Sequence, residues 1–166
     1  MSSLSPLVPM SIKGLMLDPV SNSPIVVLKD DDEKFFLPIW VGIYEANAIA
    51  LQLENVTTPR PMTHDLLRNM ISELNGQVTR VVINDLRDST FFAQIRLNVG
   101  AKTLEVDARP SDAIALALRT EAPIYVAQSV LDQAQTITPE GGEDQDEKMK
   151  KWFENLGPDD LGKYKM

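Results

Sequence analysis

The chain has 166 residues, 43% of them hydrophobic and 24% charged, with a formal net charge of −8 and no cysteine. That length fits one domain, or one domain with a tail, and can bury roughly two-thirds of its unfolded surface. The missing cysteines exclude disulfides, thiolate metal sites and a cysteine nucleophile. The acidic balance disfavours tight non-specific binding to a phosphate backbone, which depends on Lys and Arg displacing counterions. It leaves room for a local arginine cluster and for weak binding with turnover.

The opening MSSLSPLVPM has no basic start and no long apolar run, so no signal peptide is expected. No stretch nears the ~20 apolar residues of a membrane span. A cytoplasmic protein without a membrane partner is the expectation.

Three strand-like segments come first: Val8–Leu17, Pro24–Leu28 and Phe35–Trp40. The acidic run Asp30–Glu33 between the last two reads as a solvated hairpin tip. It lacks the Gly and the spaced Glu of an EF-hand loop. Ile43–Glu54 predicts a helix that is apolar on nearly every face, hence buried. Thr57-Thr58-Pro59-Arg60-Pro61 ends it. A second helix is predicted from His64 to Leu74, with Thr63 as its N-cap, Asp65 in its first turn and Asn75-Gly76 as its stop. Leu66, Leu67, Met70, Ile71 and Leu74 form one apolar stripe on it.

A meander follows: Val78–Leu86, Phe91–Val99 and Lys102–Ala108. In its middle strand Phe91, Ala93, Ile95, Leu97 and Val99 alternate with Phe92, Gln94, Arg96 and Asn98. Asp85 and Asp88 flank a turn and read as surface residues. Ser111–Arg119 predicts a third, largely apolar helix, Pro123–Val126 a short strand, and Ser129–Ala134 a helical turn. The fold class expected is mixed α/β or α+β, with a largely antiparallel sheet and packed helices. Ala48-Ile49-Ala50-Leu51 recurs 65 residues later as Ala113-Ile114-Ala115-Leu116, with Asn47 matching Asp112, which hints at an internal β-α duplication.

Composition shifts after Thr138. Residues 1–138 form the expected domain. Residues 139–166 hold eight acids against five bases and read as an acidic linker plus an amphipathic tail. Met149, Trp152, Phe153 and Leu156 in that tail can dock on their own domain, on a second copy or on a separate partner.

Two motifs carry candidate chemistry, Arg60-Pro61-Met62-Thr63-His64-Asp65 and Asp107-Ala108-Arg109-Pro110-Ser111-Asp112. The structural reading is helix capping by Thr63 or Ser111, with Asp65 or Asp112 offsetting the helix dipole. The functional reading is a phosphate site: free N–H groups at a helix start beside Arg60, Thr63, Arg109 and Ser111. No P-loop, nucleophile elbow, zinc spacing or basic-aromatic patch accompanies them.

These motifs, preceded by Leu37-Pro38-Ile39-Trp40-Val41-Gly42 and Glu45-Ala46 and continuing through Ala113 to Arg119, resemble the bifunctional nuclease family. The resemblance covers about Ser11 to Gln135. It implies hydrolysis of both DNA and RNA, a mixed α/β fold and self-association. It assigns no catalytic set, so the sites are read from the residues. DNA has no 2′-hydroxyl, so water must attack. His64, Asp65, Asp107 and Asp112 are the catalytic candidates. Glu45, Asp107 and Asp112 are candidate ligands for Mg²⁺ or Mn²⁺, which would activate that water. Nucleic acid is the expected substrate and a homodimer the expected assembly. The alternative is a non-enzymatic oligomeric binding or regulatory module with an anion site.

Overall fold

A computed structural model describes residues 5–134. The tail expected to dock through Trp152 and Phe153 lies outside them. Along the chain the elements are β1 (Leu7–Leu17), β2 (Pro24–Asp30), β3 (Phe36–Trp40), α1 (Ile43–Leu53), α2 (Thr63–Glu73), β4 (Gly76–Arg87), β5 (Thr90–Val99), β6 (Lys102–Ala108), α3 (Pro110–Thr120), β7 (Ile124–Ala127) and α4 (Gln128–Gln133). The strands join one seven-stranded sheet in the order β3-β2-β1-β7-β4-β5-β6. Every neighbouring pair is antiparallel except β4 with β7. The class is α+β, with a mixed, mostly antiparallel sheet and, among the described residues, four helices.

This order is palindromic about β7. β1 runs antiparallel to β7 and β4 parallel to it, so β1 and β4 point in opposite directions. A twofold axis normal to the sheet relates strands in this way. The offset of 65 that takes Ala48 to Ala113 also carries β2 onto β5, β3 onto β6 and α1 onto α3 within a few residues. The four-residue echo in the sequence therefore extends to a whole β-β-β-α unit.

Local chemistry follows the physics of burial. β5 buries Phe91, Ala93 and Ile95 and half-exposes the residues between them, the period-2 pattern of a strand with one face on the core. β2 and β3 do not alternate. Ile25–Leu28 and Phe36–Trp40 are buried throughout, as strands covered on both faces must be apolar throughout. α3 is the central helix, and Ala113 to Ala117 are all buried. It packs on α1, α2, β4 and β5. Its alanines permit that close approach, while Ile114 and Leu116 each contribute roughly 1.5–3 kcal/mol through burial.

The start of each motif helix lies one or two residues earlier than the hydroxyl residues predict. The N-cap of α2 is Met62 and that of α3 is Arg109. Neither Thr63 nor Ser111 caps. Pro110 takes the first helical position, where its fixed φ and missing N–H cost nothing, and this moves Ser111 inward. At α2 the Asp65 carboxylate folds back to accept the Met62 N–H at 3.0 Å, so the acid does the capping that Thr63 was expected to do. α1 also departs from expectation: Ala46, Ala48 and Ile49 are buried, but Ile43 and Tyr44 are 69% and 86% exposed. At α2 the apolar stripe lies at the surface. Leu66, Leu67, Met70 and Leu74 are all exposed, and the single buried residue of the helix is His64.

The Asp30–Glu33 hairpin tip is only partly solvated. Asp31 and Asp32 are exposed, whereas Asp30 is buried and accepts the Phe35 N–H at 2.9 Å. A second buried acid closes the preceding turn. Asp18 accepts the Trp40 indole N–H at 3.0 Å and the Val20 N–H at 2.9 Å. Burial raises its pKa, but the bond from Trp40, with those from Val20 and Ser21, outweighs burial and sets the carboxyl below its ordinary value. Asp18→Ala strips the buried Trp40 indole and the partly buried Val20 N–H of their acceptor. It should cost about 2 kcal/mol, read from urea unfolding followed by Trp40 fluorescence.

Candidate functional site

α1 and α3 lie side by side, and α2 packs against α3. The first turns of all three helices converge, and each supplies a side chain. Glu45 comes from α1, His64 from α2 and Asp112 from α3, while Arg109 is the N-cap of α3. They form one chain of contacts. Arg109 Nη2 donates to Glu45 Oε1 at 2.6 Å, and Arg109 Nε donates to Asp112 Oδ2 at 2.9 Å. Asp112 Oδ1 meets His64 Nε2 at 2.9 Å. All four line a hollow of about 280 Å³ with Tyr44, Asn47, Leu51 and Met62 among its other walls. Asn47 and Asp112, equivalent under the 65-residue offset, both face it.

The site is graded from covered to open. The His64 side chain is 10% exposed, Glu45 15%, Asp112 29% and Arg109 52%. The bonds to Asp112 first and Glu45 second push the Arg109 pKa further up, so it is a permanent cation here. A carboxylate can only accept, so His64 Nε2 donates to Asp112 and Nδ1 is the nitrogen left to take a proton. Gly42 leaves room for this arrangement. A Cβ there would meet Glu45 Oε2, so any larger residue would make that flexible carboxylate shift.

The other predicted residues go elsewhere. Asp65 does not join the group. Its Oδ1 takes a bond from Arg119 Nε at 2.7 Å while the Met62 N–H holds the other oxygen. Burial alone would raise its pKa, but the Met62 and Arg119 bonds together hold it below the ordinary value. Both oxygens of Asp65 are thus committed to structure, and the sequence had placed it among the catalytic residues. Asp107 lies on β6 and lines a neighbouring, mostly apolar groove that His64, Arg109 and Asp112 also border. Among the described residues, no three His or acidic side chains stand together as a cation site. The expected trio of Glu45, Asp107 and Asp112 is therefore not assembled. Ser111 is fully buried, which keeps its hydroxyl from an incoming phosphate. Thr63 does line the hollow.

Arg60 is separated from Arg109. It lines a second, polar hollow of about 290 Å³ with Arg68, Arg119 and Asp65, and Leu51 is a wall common to both hollows. Sequence reading passed over Arg68 and Arg119. A clue to Arg119 existed: a cation set in the apolar run of α3 needs a buried partner.

The family described as bifunctional nuclease domain matches residues 26–139. An uncharacterized protein of Mycobacterium tuberculosis is 38% identical over 159 residues, which covers 90% of this chain and 95% of the relative. Bifunctional nuclease 2 of Arabidopsis thaliana is 31% identical over 108 residues, 63% of this chain and 33% of its own length. Bifunctional nuclease 1 of Oryza sativa subsp. japonica is 27% identical over 116 residues, 68% of this chain and 35% of its own. The chain spans about a third of the two plant relatives and nearly all of the mycobacterial one.

Proposed function

The chain belongs to the bifunctional nuclease domain family, and from that membership we propose that it hydrolyses phosphodiester bonds of DNA and RNA at the Glu45–Arg109–Asp112–His64 group. The observation that carries this reading is the convergence of those four side chains, from three helix starts, in one open hollow. Asp112 fixes the His64 ring and its tautomer. Nδ1 accepts a proton from water as the water oxygen bonds to phosphorus and the P–O bond to the leaving group breaks. A positioned base of this kind supplies roughly 10²–10⁴-fold in rate. Arg109, the most exposed member, meets the phosphate oxygens. Arg60 and Arg68, beyond Leu51, hold a neighbouring phosphate of the same strand.

Among the described residues no three His or acidic side chains stand together for Mg²⁺ or Mn²⁺, and Arg109 already spans Glu45 and Asp112. The side chains as arranged do not fit a metal, so the proton path above runs without one. One feature favours the second reading, a non-hydrolytic anion-binding module: Arg60, Arg68 and Arg119 line one hollow in which Asp65 is the single acid. The Glu45–Arg109–Asp112 group, with two carboxylates against one guanidinium, is by contrast net negative and opposes an incoming phosphate.

One assay separates these readings. Highly purified protein is offered DNA and RNA with and without EDTA, beside Arg109→Ala prepared identically. Hydrolysis of both polymers that survives EDTA and falls at least tenfold in Arg109→Ala supports the proposal. Equal activity in the variant marks a contaminant and defeats the site. Loss in EDTA with recovery on Mg²⁺ or Mn²⁺ would instead mean that a cation displaces Arg109. No turnover, with oligonucleotide still bound, would leave the binding module.

A further inference from the structure

We propose that the sheet face opposite α3 carries a binding site for a nucleoside monophosphate, centred on Arg80 and Asn84. α3 packs on β4 and β5, where Val81, Ile83, Ala93 and Ile95 belong to the core. The residues that alternate with them share the other face. There Arg80, Asn84, Gln94 and Arg96 line a hollow of about 470 Å³, with Leu7 and Val82 among its apolar walls. That size is in the range of small-molecule sites, roughly 300–1,000 Å³. No member of the Glu45–Arg109–Asp112–His64 group lines it. The β4–β5 register slips between Ile83 and Asp85, so Asn84 is an extra residue in its strand. A bulge of this kind re-aims a side chain.

The polar groups of this hollow identify the ligand. Among the described residues Arg80 Nε and Asn84 Oδ1 are buried and make no hydrogen bond, although buried polar groups are nearly always bonded. A guanidinium and a carboxamide in this state can turn toward a ligand without giving up a bond. Arg96 is different. Its Nε and Nη2 both donate to Glu105 Oε1, at 3.2 and 2.7 Å, and Glu105 lines the same hollow. Glu105 neutralises Arg96, which leaves Arg80 as the cation without an acidic partner there among the described residues; the Tyr125 ring lies 6.0 Å from it. One such guanidinium takes one anion, and its fork matches a pair of phosphate oxygens. The Asn84 and Gln94 carboxamides each hold a donor beside an acceptor. That pattern matches the edge of a nucleobase, as an amide matches adenine N6 and N7. The apolar walls take the face of the ring, which a bare phosphate would leave uncovered.

Calorimetric titration of the full chain with AMP, adenosine and inorganic phosphate tests this without reference to hydrolysis. AMP should bind roughly tenfold or more tighter than either adenosine or phosphate, because only AMP engages both the guanidinium and the carboxamides. Arg80→Met should weaken AMP by roughly tenfold or more, and Asn84→Ala by a smaller factor. Arg109→Ala and Arg60→Ala/Arg68→Ala, at the other two hollows, should bind AMP as the wild type does. Amide exchange of the wild type should slow in β4, β5 and β7 when AMP is added, a readout that stands if the Arg80 variant misfolds. A wild type that binds no AMP overturns the proposal, as does an Arg80 variant that binds it unchanged. Phosphate binding as tightly as AMP would mean an anion site alone and overturn it too. Affinity lost with Arg109, or with Arg60 and Arg68, would put the nucleotide in another hollow and overturn it as well.

Discussion

Asp65→Ala should lower the stability of the fold by about 3–5 kcal/mol, the cost of leaving a buried charge without its partner. The charge is Arg119, whose side chain is 2% exposed. Its guanidinium joins three helices. Nε bonds Asp65 on α2 at 2.7 Å, Nη1 bonds the Ala115 carbonyl on α3 at 2.9 Å, and Nη2 bonds the Ala48 carbonyl on α1 at 3.0 Å. Without Asp65 the two carbonyls remain but the charge is uncompensated, and the Met62 N–H also loses its acceptor. Removing the cation as well, in Asp65→Ala/Arg119→Met, should recover much of the loss, because a well-packed apolar replacement avoids the desolvation that the pair must overcome. Urea unfolding of the two single variants and the double gives the coupling directly. Asp65 also sets a pH dependence. Its folded pKa lies below the ordinary value, so its contribution is complete above about pH 4 and is lost as pH falls through the lower folded value. The stability gap between wild type and Asp65→Ala should therefore close on acidification through that window.

Much of the fold was legible because short-range rules governed it. The β5 alternation, the apolar β2 and β3 and the Pro59–Pro61 break fixed their elements within two residues. The 65-residue echo already held the palindrome of the sheet. The site was legible in part. Glu45, His64, Arg109 and Asp112 were named, and they meet. Asp65 was misread because its partner, Arg119, lies 54 positions away and no local pattern links them. Thr63 and Ser111 were misread as caps because a helix start depends on φ and ψ, which the hydroxyl residues do not set alone. The α2 stripe was legible as a stripe, but not what covers it. Periodicity shows that a face is apolar, but not whether its own core or another molecule covers it. Asp107 and Asp112 sit five residues apart in one motif, yet the turn into α3 sends one to the strand edge and the other to His64.

That last separation makes the sharpest test of the chemistry. If the chain is the proposed nuclease, Asp112→Asn should reduce turnover by roughly 10²–10⁴-fold, while Asp107→Asn should leave it within a few-fold. The two changes are isosteric, remove one charge each and lie in the same motif. They differ in what the carboxylate holds. In Asp112→Asn the new amide can offer His64 Nε2 its hydrogens instead of an acceptor, which favours the wrong ring tautomer and leaves Nδ1 protonated and unable to accept from water. The same change takes from Arg109 one of the two anions that hold the guanidinium across the hollow. Among the described residues Asp107 makes no such hydrogen bond, although it lines a groove that His64, Arg109 and Asp112 also border. Rates should be measured on a DNA and an RNA oligonucleotide, with unfolding midpoints determined alongside. A loss in both variants would restore Asp107 to the catalytic group and favour the metal trio first read from the sequence. No loss in either would move hydrolysis away from His64 altogether.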